Sequence, residues 1–238
     1  MKILKIVLQD EKSQEIVLST DEKRKINFII GNNGSGKSII FNKIKSFFSN
    51  EKKCKIIFDK DQEIQNPELM FLDFDEMYKP EQLGTIFKNK NFTNEQLYSI
   101  KENAEKNILI RSDRVFGEDG TGIRLTMSNG SIIIENNTLA VSENILVLLS
   151  LFISIRNQLE PEIPLIIDAF FERMSFEKQK MIMEFLLENN IQLLVFCTDA
   201  QFSTKGEGIL SMYEFLKESN SLGKMYQLEN HILKNGPN

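Results

Sequence analysis

A glycine-rich segment near the N-terminus constrains the fold of this chain more than any other feature. It follows a short apolar run, Ile26–Ile30, and precedes a stretch whose apolar residues recur at helical spacing. The segment reads Gly31-Asn32-Asn33-Gly34-Ser35-Gly36-Lys37-Ser38. Strand, glycine-rich loop and helix in this order are typical of a phosphate-binding loop, in which consecutive backbone N–H groups point at an anion. The segment therefore predicts a nucleotide-binding site.

The last two residues of this loop have predicted chemical roles. We expect Lys37 to reach the β- and γ-phosphates of the nucleotide and the Ser38 hydroxyl to bind Mg²⁺. The N-terminus of the following helix adds partial positive charge for the same anion. A loop that contains a lysine by chance is the alternative, and the flanking strand and helix argue against it.

Composition limits the remaining classes of protein. A chain of 238 residues is long enough for a well-buried core, and its net charge of −5 argues against coating nucleic acid by bulk attraction, although a local basic patch stays open. Cys54 and Cys197 lack metal-binding spacing, so we expect reduced thiols in a cytoplasmic protein. The apolar runs are too short for a signal peptide or a membrane span, so no membrane partner is expected.

The order of predicted elements favours one α/β domain in three parts. We expect a lobe with the phosphate loop over residues 1–78, a small helical insert over 79–122 and a second lobe over 123–238. The predicted strands are 2–8, 14–18, 26–30, 55–58, 165–168 and 191–197, with a hairpin around Asn129-Gly130 and a helix over 175–189. Helices alternating with buried strands indicate a parallel core, to which the first strands add a mixed N-terminal sheet.

The segment Met70–Glu76, in which apolar residues run into acids, allows two interpretations. An apolar run that ends in an acid is typical of the strand-end aspartate of a nucleoside triphosphatase. The alternation of Phe and Asp also fits a half-buried strand that enters a turn, and this is the interpretation we favour.

A second pattern with chemical meaning lies in the C-terminal part of the chain. Ser142 is predicted to cap an apolar helix from about Ile145 to Gln158. Leu165–Asp168 is then a buried strand whose last residue places a carboxylate where Mg²⁺ can bind. A strand-end aspartate is often only a turn former, but its combination with an upstream phosphate loop favours the metal role.

The order of these features resembles the ABC-type ATPases, most closely the head domains of the SMC, RecF and SbcC group. Pro164–Ser175 is similar to the Walker B segment and D-loop of that group. Leu139–Glu143 occupies the place of its signature motif, and Gln192–Asp199 that of its final strand and switch residue. The resemblance covers nearly the whole chain, and the phosphate loop is the one motif that is specific by itself.

The resemblance implies a nucleotide sandwich. In that family two heads dimerise head-to-tail, and each ATP lies between the phosphate loop of one subunit and the signature helix of the other. Lys37 and Ser38 would hold phosphate and metal, Asp168 would support Mg²⁺ through water, and Ser142 would face the partner's γ-phosphate. The implied function is an ATPase head in a DNA-related assembly, in repair or anti-phage defence, with a protein effector as a further partner.

Several residues depart from the family pattern. Ala140, Val141 and Ser142 replace the signature serine and its two glycines. Ala169 stands where a catalytic glutamate usually follows Asp168, and Glu172 could replace that base only if the loop folds back. A slow ATPase and a nucleotide-gated interaction module with little hydrolysis are therefore both open.

Other family positions are left unassigned or altered. Asp199 takes the switch position in place of a histidine, so neither that position nor the signature supports a transporter ATPase. The metal-sensing glutamine has three candidates, Gln62, Gln65 and Gln82. Too few residues separate Lys37 from Asp168 for a coiled-coil arm, and no heptad pattern lies between them, so we expect a bare head.

Overall fold

The computed structural model describes residues 1–9, 15–19, 26–49, 54–60, 64–73, 92–111, 124–128, 130–135, 141–168, 175–198, 211–229 and 232–235. An antiparallel sheet of three strands uses the N-terminal residues. It consists of β1 (Ile3–Gln9), β2 (Glu15–Ser19) and β4 (Cys54–Phe58), in the order β2–β1–β4. These strands were predicted from the sequence to within one residue at each end.

A six-stranded sheet carries the phosphate loop. Its strands are β3 (Ile26–Ile30), β5 (Phe71–Asp73), β8 (Leu165–Asp168), β9 (Leu193–Cys197), β10 (Leu222–Glu229) and β11 (Ile232–Asn235). The order is β11–β10–β3–β9–β8–β5, and every neighbouring pair is parallel except β10 with β11. Every residue of β3, β8 and β9 is buried, which is why these strands are continuous apolar runs rather than alternating ones.

Five helices and one hairpin complete the described secondary structure. The helices are α1 (Lys37–Lys45), α2 (Asn94–Arg111), α3 (Val141–Leu159), α4 (Phe176–Glu188) and α5 (Met212–Glu218), and the hairpin consists of β6 (Arg124–Ser128) and β7 (Ser131–Glu135). Short 3₁₀ turns follow α1 at Ser46–Ser49 and precede β5 at Pro67–Met70. Thr93 caps the start of α2, because Thr93 and Gln96 exchange side-chain and backbone hydrogen bonds of 2.9 and 3.2 Å.

Helix α3 begins earlier than the sequence pattern predicted. Its first residue is Val141, so Ser142 lies in the first helical turn and is not the N-cap. The expectation of an N-cap at Ser142 is therefore wrong. Residues that favour the N-cap also fit the first helical turn, because backbone N–H groups have no helical partner there. All residues from Ile145 to Arg156 are buried, and burial lowers the pKa of the Arg156 guanidinium to about 10. None of the helices in the described ranges is long and apolar enough to cross a membrane.

The chain divides into two compact units. The first comprises Met1–Phe74, Glu162–Glu172 and Ile182–Asn238, and it contains both larger sheets and α1. The second comprises Asp75–Pro161 and Arg173–Met181, and it contains α2, the hairpin and α3. The three-part division expected from the sequence stays a prediction.

One buried side chain joins the two larger sheets of the first unit. Gln192, just before β9, accepts a hydrogen bond from the Ile3 N–H at 2.7 Å and donates one to the Ile3 carbonyl at 3.0 Å. Cys54 and Cys197 are buried thiols, and desolvation raises the pKa of the Cys54 thiol to about 12. The Gln192 amide therefore joins β1 of the antiparallel sheet to β9 of the parallel one.

Candidate nucleotide-binding site

The phosphate loop and Asp168 lie at the same edge of the six-stranded sheet. The loop begins where β3 ends, Asp168 is the last residue of β8, and only β9 separates these two strands. Because all three strands are parallel, their carboxyl ends meet at one edge. The Gly31 N–H donates a hydrogen bond of 3.1 Å to the Cys197 carbonyl, which continues the pairing of β3 with β9 into the loop.

The loop has a curled backbone that its glycines make possible. Gly34 and Gly36 have φ angles of +81° and +101°, in the left-handed region that residues with a side chain rarely adopt. A Cβ atom at Gly31 would lie 2.5 Å from Ser35 Oγ and 2.6 Å from the Leu228 carbonyl oxygen. The first position of the loop therefore has no room for a side chain.

The polar groups of the loop fit a bound anion. Ser35 is only 7% exposed, and its hydroxyl has no hydrogen-bond partner among the residues that the structure describes. Gly36, the N-cap of α1, provides no side-chain cap, and the first turn of α1 contains no acidic residue. A buried hydroxyl without a partner and uncapped N–H groups at a helix N-terminus are donors that a phosphate oxygen satisfies. The predicted residues 31–38 thus form a loop that suits phosphate.

Lys37 lies across the loop rather than out in solvent. Its Nζ donates hydrogen bonds to the carbonyl oxygens of Gly31 at 2.8 Å and Asn32 at 3.1 Å. The ammonium group is therefore held over the loop by neutral acceptors. A phosphate oxygen is a stronger, charged acceptor for the same group.

Helix α1 packs against the sheet so that its first turn lies at the edge with Asp168. The Phe41 ring meets Phe71 of β5 and Phe196 of β9 edge to face, each with 5.9 Å between ring centroids. Asp168 is 5% exposed and Ser38 is exposed. In the parts of the chain that the structure describes, no group of three or more His, Cys, Asp or Glu residues could hold a metal. Mg²⁺ at nucleotide sites typically takes one or two carboxylates plus substrate phosphates, and Asp168 with the Ser38 hydroxyl fits that donor set.

The structure adds Asp73 to the residues at this edge. The strand predicted for the Met70–Glu76 segment exists as β5, and Asp73 is its last residue. Strand β5 pairs with β8 so that Asp73 is the direct partner of Asp168. The sequence contains a signal for an aspartate at this edge, namely an apolar run that ends in an acid. The same run also fits a half-buried strand that enters a turn, which is the interpretation favoured from the sequence.

Several predicted residues are not brought to this edge by described structure. Ser142 belongs to α3 in the second unit, and its side chain is outside the described part. Gln65 is described and exposed, ahead of β5, while Gln62 and Gln82 lie outside the described residues. Ala169, Glu172 and Asp199 also lie outside them, so the roles of Glu172 and Ser142 stay predictions.

Comparison with known proteins identifies the fold. No protein-family profile matches the chain, and no curated protein sequence matches it. Solved structures do match over the whole length. One is the SMC head domain from Thermotoga maritima, with a TM-score of 0.57, 13% identity, and coverage of 100% of this chain and 99% of that chain. Another is the SmcHead bound to the C-winged helix domain of ScpA, with a TM-score of 0.60, 12% identity, and coverage of 99% and 98%.

The chain therefore has an SMC-head-like α/β fold with a mostly parallel central sheet. This confirms the fold class and the resemblance predicted from the sequence. Because the identities are low, the match concerns the fold, and the chemistry must be argued from the site.

Proposed function

We propose that this chain is a Mg-ATP-binding ATPase head that dimerises around ATP. The observation that carries the proposal is the phosphate loop itself: a curled glycine-rich backbone, an unpartnered buried hydroxyl on Ser35 and Lys37 held over the loop. Together these groups bring hydrogen-bond donors and a positive charge into one loop, which suits an anion.

The binding step can be described from the residues of the loop. Phosphate oxygens accept hydrogen bonds from the Ser35 hydroxyl and the N–H groups at the start of α1. Lys37 exchanges its two carbonyl acceptors for a charged oxygen, which makes a stronger hydrogen bond. Mg²⁺, when bound with the nucleotide, neutralises phosphate charge, and Ser38 and Asp168 are the residues that would hold it.

Dimerisation around ATP is supported by the fold and by the resemblance. In the proposed sandwich, the start of α3 with Ser142 faces the γ-phosphate bound by the other subunit. One structurally similar head is bound to a winged-helix domain of another protein, and we extend the proposal to a protein effector for this chain. The link to a DNA-related assembly, in repair or defence, is supported by the resemblance.

Hydrolysis is proposed to be slow. A general base must lie within hydrogen-bond reach of the attacking water, and Ala169 cannot provide one. Glu172 is the proposed base. Glu172→Gln should lower the steady-state rate of phosphate release, with nucleotide affinity unchanged, and an unchanged rate would remove Glu172 from the mechanism.

A second function is favoured by the same alanine. With Ala169 and the altered signature residues 140–142, the chain would act as a nucleotide-gated interaction module that binds ATP and hydrolyses little. Turnover separates the two, since rates of about 1 s⁻¹ are ordinary for an enzyme.

The first experiment is the mass of the protein in solution by light scattering. It compares Mg²⁺ alone, Mg-ATP, and the Lys37→Ala variant with Mg-ATP. We expect ATP to double the mass of the wild-type protein and to have no effect on the variant. One constant mass in all three conditions would refute the ATP-dependent homodimer.

A further inference from the structure

An exposed apolar residue, Ile39, lies in the first turn of α1. It is 53% exposed, and it follows directly on Lys37 and Ser38 of the phosphate loop. In the part of the first unit that the structure describes, the other exposed large apolar residue is Ile232, on the outer strand β11. A single exposed isoleucine is ordinary on a protein surface. Its place relative to the loop is what gives Ile39 a meaning.

The backbone of Ile39 belongs to the anion-binding end of α1. The Ile40 N–H donates a hydrogen bond of 3.1 Å to the Gly36 carbonyl, which is the N-cap of the helix. The N–H groups of the three residues before Ile40 precede this bond and point out of the helix N-terminus. An anion that these groups bind therefore lies against the backbone of Ile39.

The two sides of the first turn of α1 differ in chemistry. The buried residues of the helix are Ile40, Phe41 and Ile44. Lys37 lies one turn before Phe41, so it belongs to the side of the helix that faces the sheet and its edge with Asp168. Successive helical residues are about 100° apart, which places Ile39 on the opposite side of the helix. The apolar surface of Ile39 therefore lies beside the anion site and away from the acidic edge.

A ligand that fills the loop has phosphate oxygens and a group attached to them. The buried Ser35 hydroxyl, which has no partner among the described residues, indicates that the loop receives an acceptor. Inorganic polyphosphate and a nucleoside triphosphate offer the same oxygens to these donors. Only the nucleotide adds a ribose and a base, whose apolar surface is favourably removed from water on contact with another apolar surface.

We infer that Ile39 is the contact residue for the nucleoside part of the bound nucleotide. The inference rests on the proposed nucleotide function and adds a specificity to it. The loop binds the phosphates, and Ile39 favours a ligand in which those phosphates carry a nucleoside.

The test compares ATP with inorganic tripolyphosphate, both with Mg²⁺, by isothermal titration calorimetry of wild type and Ile39→Ala. The substitution should weaken ATP affinity by about three- to tenfold, as expected for the loss of a partly covered isoleucine side chain. The affinity for tripolyphosphate should stay unchanged, because its oxygens contact the loop alone. The ratio of the two affinities should therefore fall in the variant.

Two further variants serve as controls. Ile232→Ala removes an exposed isoleucine from β11 and should change neither affinity. Ile39→Leu keeps an apolar side chain of the same size and should retain most of the ATP affinity. Melting curves without ligand check the fold, and Ile39→Ala should melt as the wild type does, because the position is exposed and alanine favours a helix.

The outcomes separate the inference from the proposed function. If wild type binds ATP and Ile39→Ala keeps the full affinity, or loses affinity equally for ATP and tripolyphosphate, Ile39 does not contact the nucleoside and the inference is wrong. If the wild-type protein binds neither ligand, the proposed function fails and the inference falls with it.

Discussion

The buried polar side chains at the two ends of β3 differ in their hydrogen bonding. At its start, Asn27 is fully buried, and its amide is used in both directions: Nδ2 donates to the Leu193 carbonyl at 3.3 Å, and Oδ1 accepts from the Lys224 N–H at 3.1 Å. Past its end, the buried Ser35 hydroxyl in the phosphate loop has no hydrogen-bond partner in the described part of the chain.

At the start of β3, the Asn27 side chain compensates for an irregular register between β3 and β10. The register between β10 and β3 shifts between Leu222 and Met225, and the Asn27 side chain gives Lys224 the acceptor that the backbone ladder would have provided. A Cβ at Gly223 would lie 2.5 Å from the Ile26 carbonyl oxygen and 2.7 Å from Asn27 Oδ1, so only glycine fits beside the amide. Polar burial at this end serves the scaffold.

In the proposed function, the unpaired end serves a ligand. A buried polar group without a partner costs about 1–3 kcal/mol of stability, and a phosphate that provides the missing acceptor recovers that cost on binding. This difference between the two ends of β3 indicates which substitutions should change stability and which should change nucleotide affinity. Substitutions at Asn27 should change stability, and substitutions in the loop should change nucleotide binding.

The largest expected effect on binding is at Lys37. Lys37→Ala should weaken ATP affinity by about 10- to 100-fold, because a charge-assisted hydrogen bond contributes about 1.5–3 kcal/mol. Thermal stability should change little, since the lysine bonds only to loop carbonyls. Equilibrium titration with ATP and a melting curve measure both quantities. Lys45→Ala, at the last position of the same helix, is the matched control, and equal losses in the two variants would contradict the site.

Asn27→Leu should reduce stability rather than nucleotide binding. It keeps a similar volume but leaves the Lys224 N–H and the Leu193 carbonyl without their partner, so the free energy of unfolding should fall by about 1–3 kcal/mol. Denaturant unfolding measures it. Asn42→Leu, at an exposed position of α1, controls for the change in residue type. If Asn27→Leu lowers ATP affinity in the folded protein but not stability, the comparison between the two ends is wrong.

Gly31→Ala should affect both properties because it touches both regions. Its Cβ would overlap Ser35 Oγ and the Leu228 carbonyl of β10, so the loop must shift away from the strand. We expect a loss of stability of about 1–3 kcal/mol, as for other overpacked sites, together with weaker ATP binding. Gly130→Ala, in the β6–β7 turn where a Cβ meets no atom within 4 Å, provides a glycine control for backbone strain alone. If Gly31→Ala kept full ATP affinity, the close packing of Gly31 against Ser35 and Leu228 would not matter for nucleotide binding, contrary to this prediction.

The smallest effect is expected at Ser35, where stability and ATP affinity should change in opposite directions. Ser35→Ala removes a hydroxyl that has no partner, so stability without nucleotide should stay equal or rise. ATP affinity should fall by about two- to tenfold, the equivalent of one neutral hydrogen bond. Melting curves with and without Mg-ATP show both parts in one experiment. A loss of stability in the absence of nucleotide would mean that the hydroxyl has a structural partner.

Local patterns in the sequence were sufficient to predict most of the strands and the curled loop after β3, but not the C-terminal strands β10 and β11. The apolar runs of β3, β8 and β9 reflect burial on both faces, and the glycines at 34 and 36 reflect backbone angles, so each signal lies within its own segment. The place of Asp73 could not be predicted in this way. It depends on β5 pairing with β8, two segments far apart in the chain, and short strands carry little information about their partners.

The role of Asn27 was hidden for a related reason. A single polar residue in an apolar run carries no sequence signal for a structural role. The role of Asn27 depends on a register shift in β10, which lies close to the other end of the sequence. The start of α3 was missed by a few residues because capping residues also fit the first helical turn.

The double hydrogen bond between Gln192 and Ile3 has a mechanical consequence. It fastens β1 to the residue that precedes β9, and β9 lies between the strand of the phosphate loop and the strand of Asp168. A force applied along β1 therefore reaches the strand at the centre of the proposed nucleotide site through two short hydrogen bonds. A pull on the first strand of this protein also acts on the spacing between the groups proposed to hold phosphate and metal.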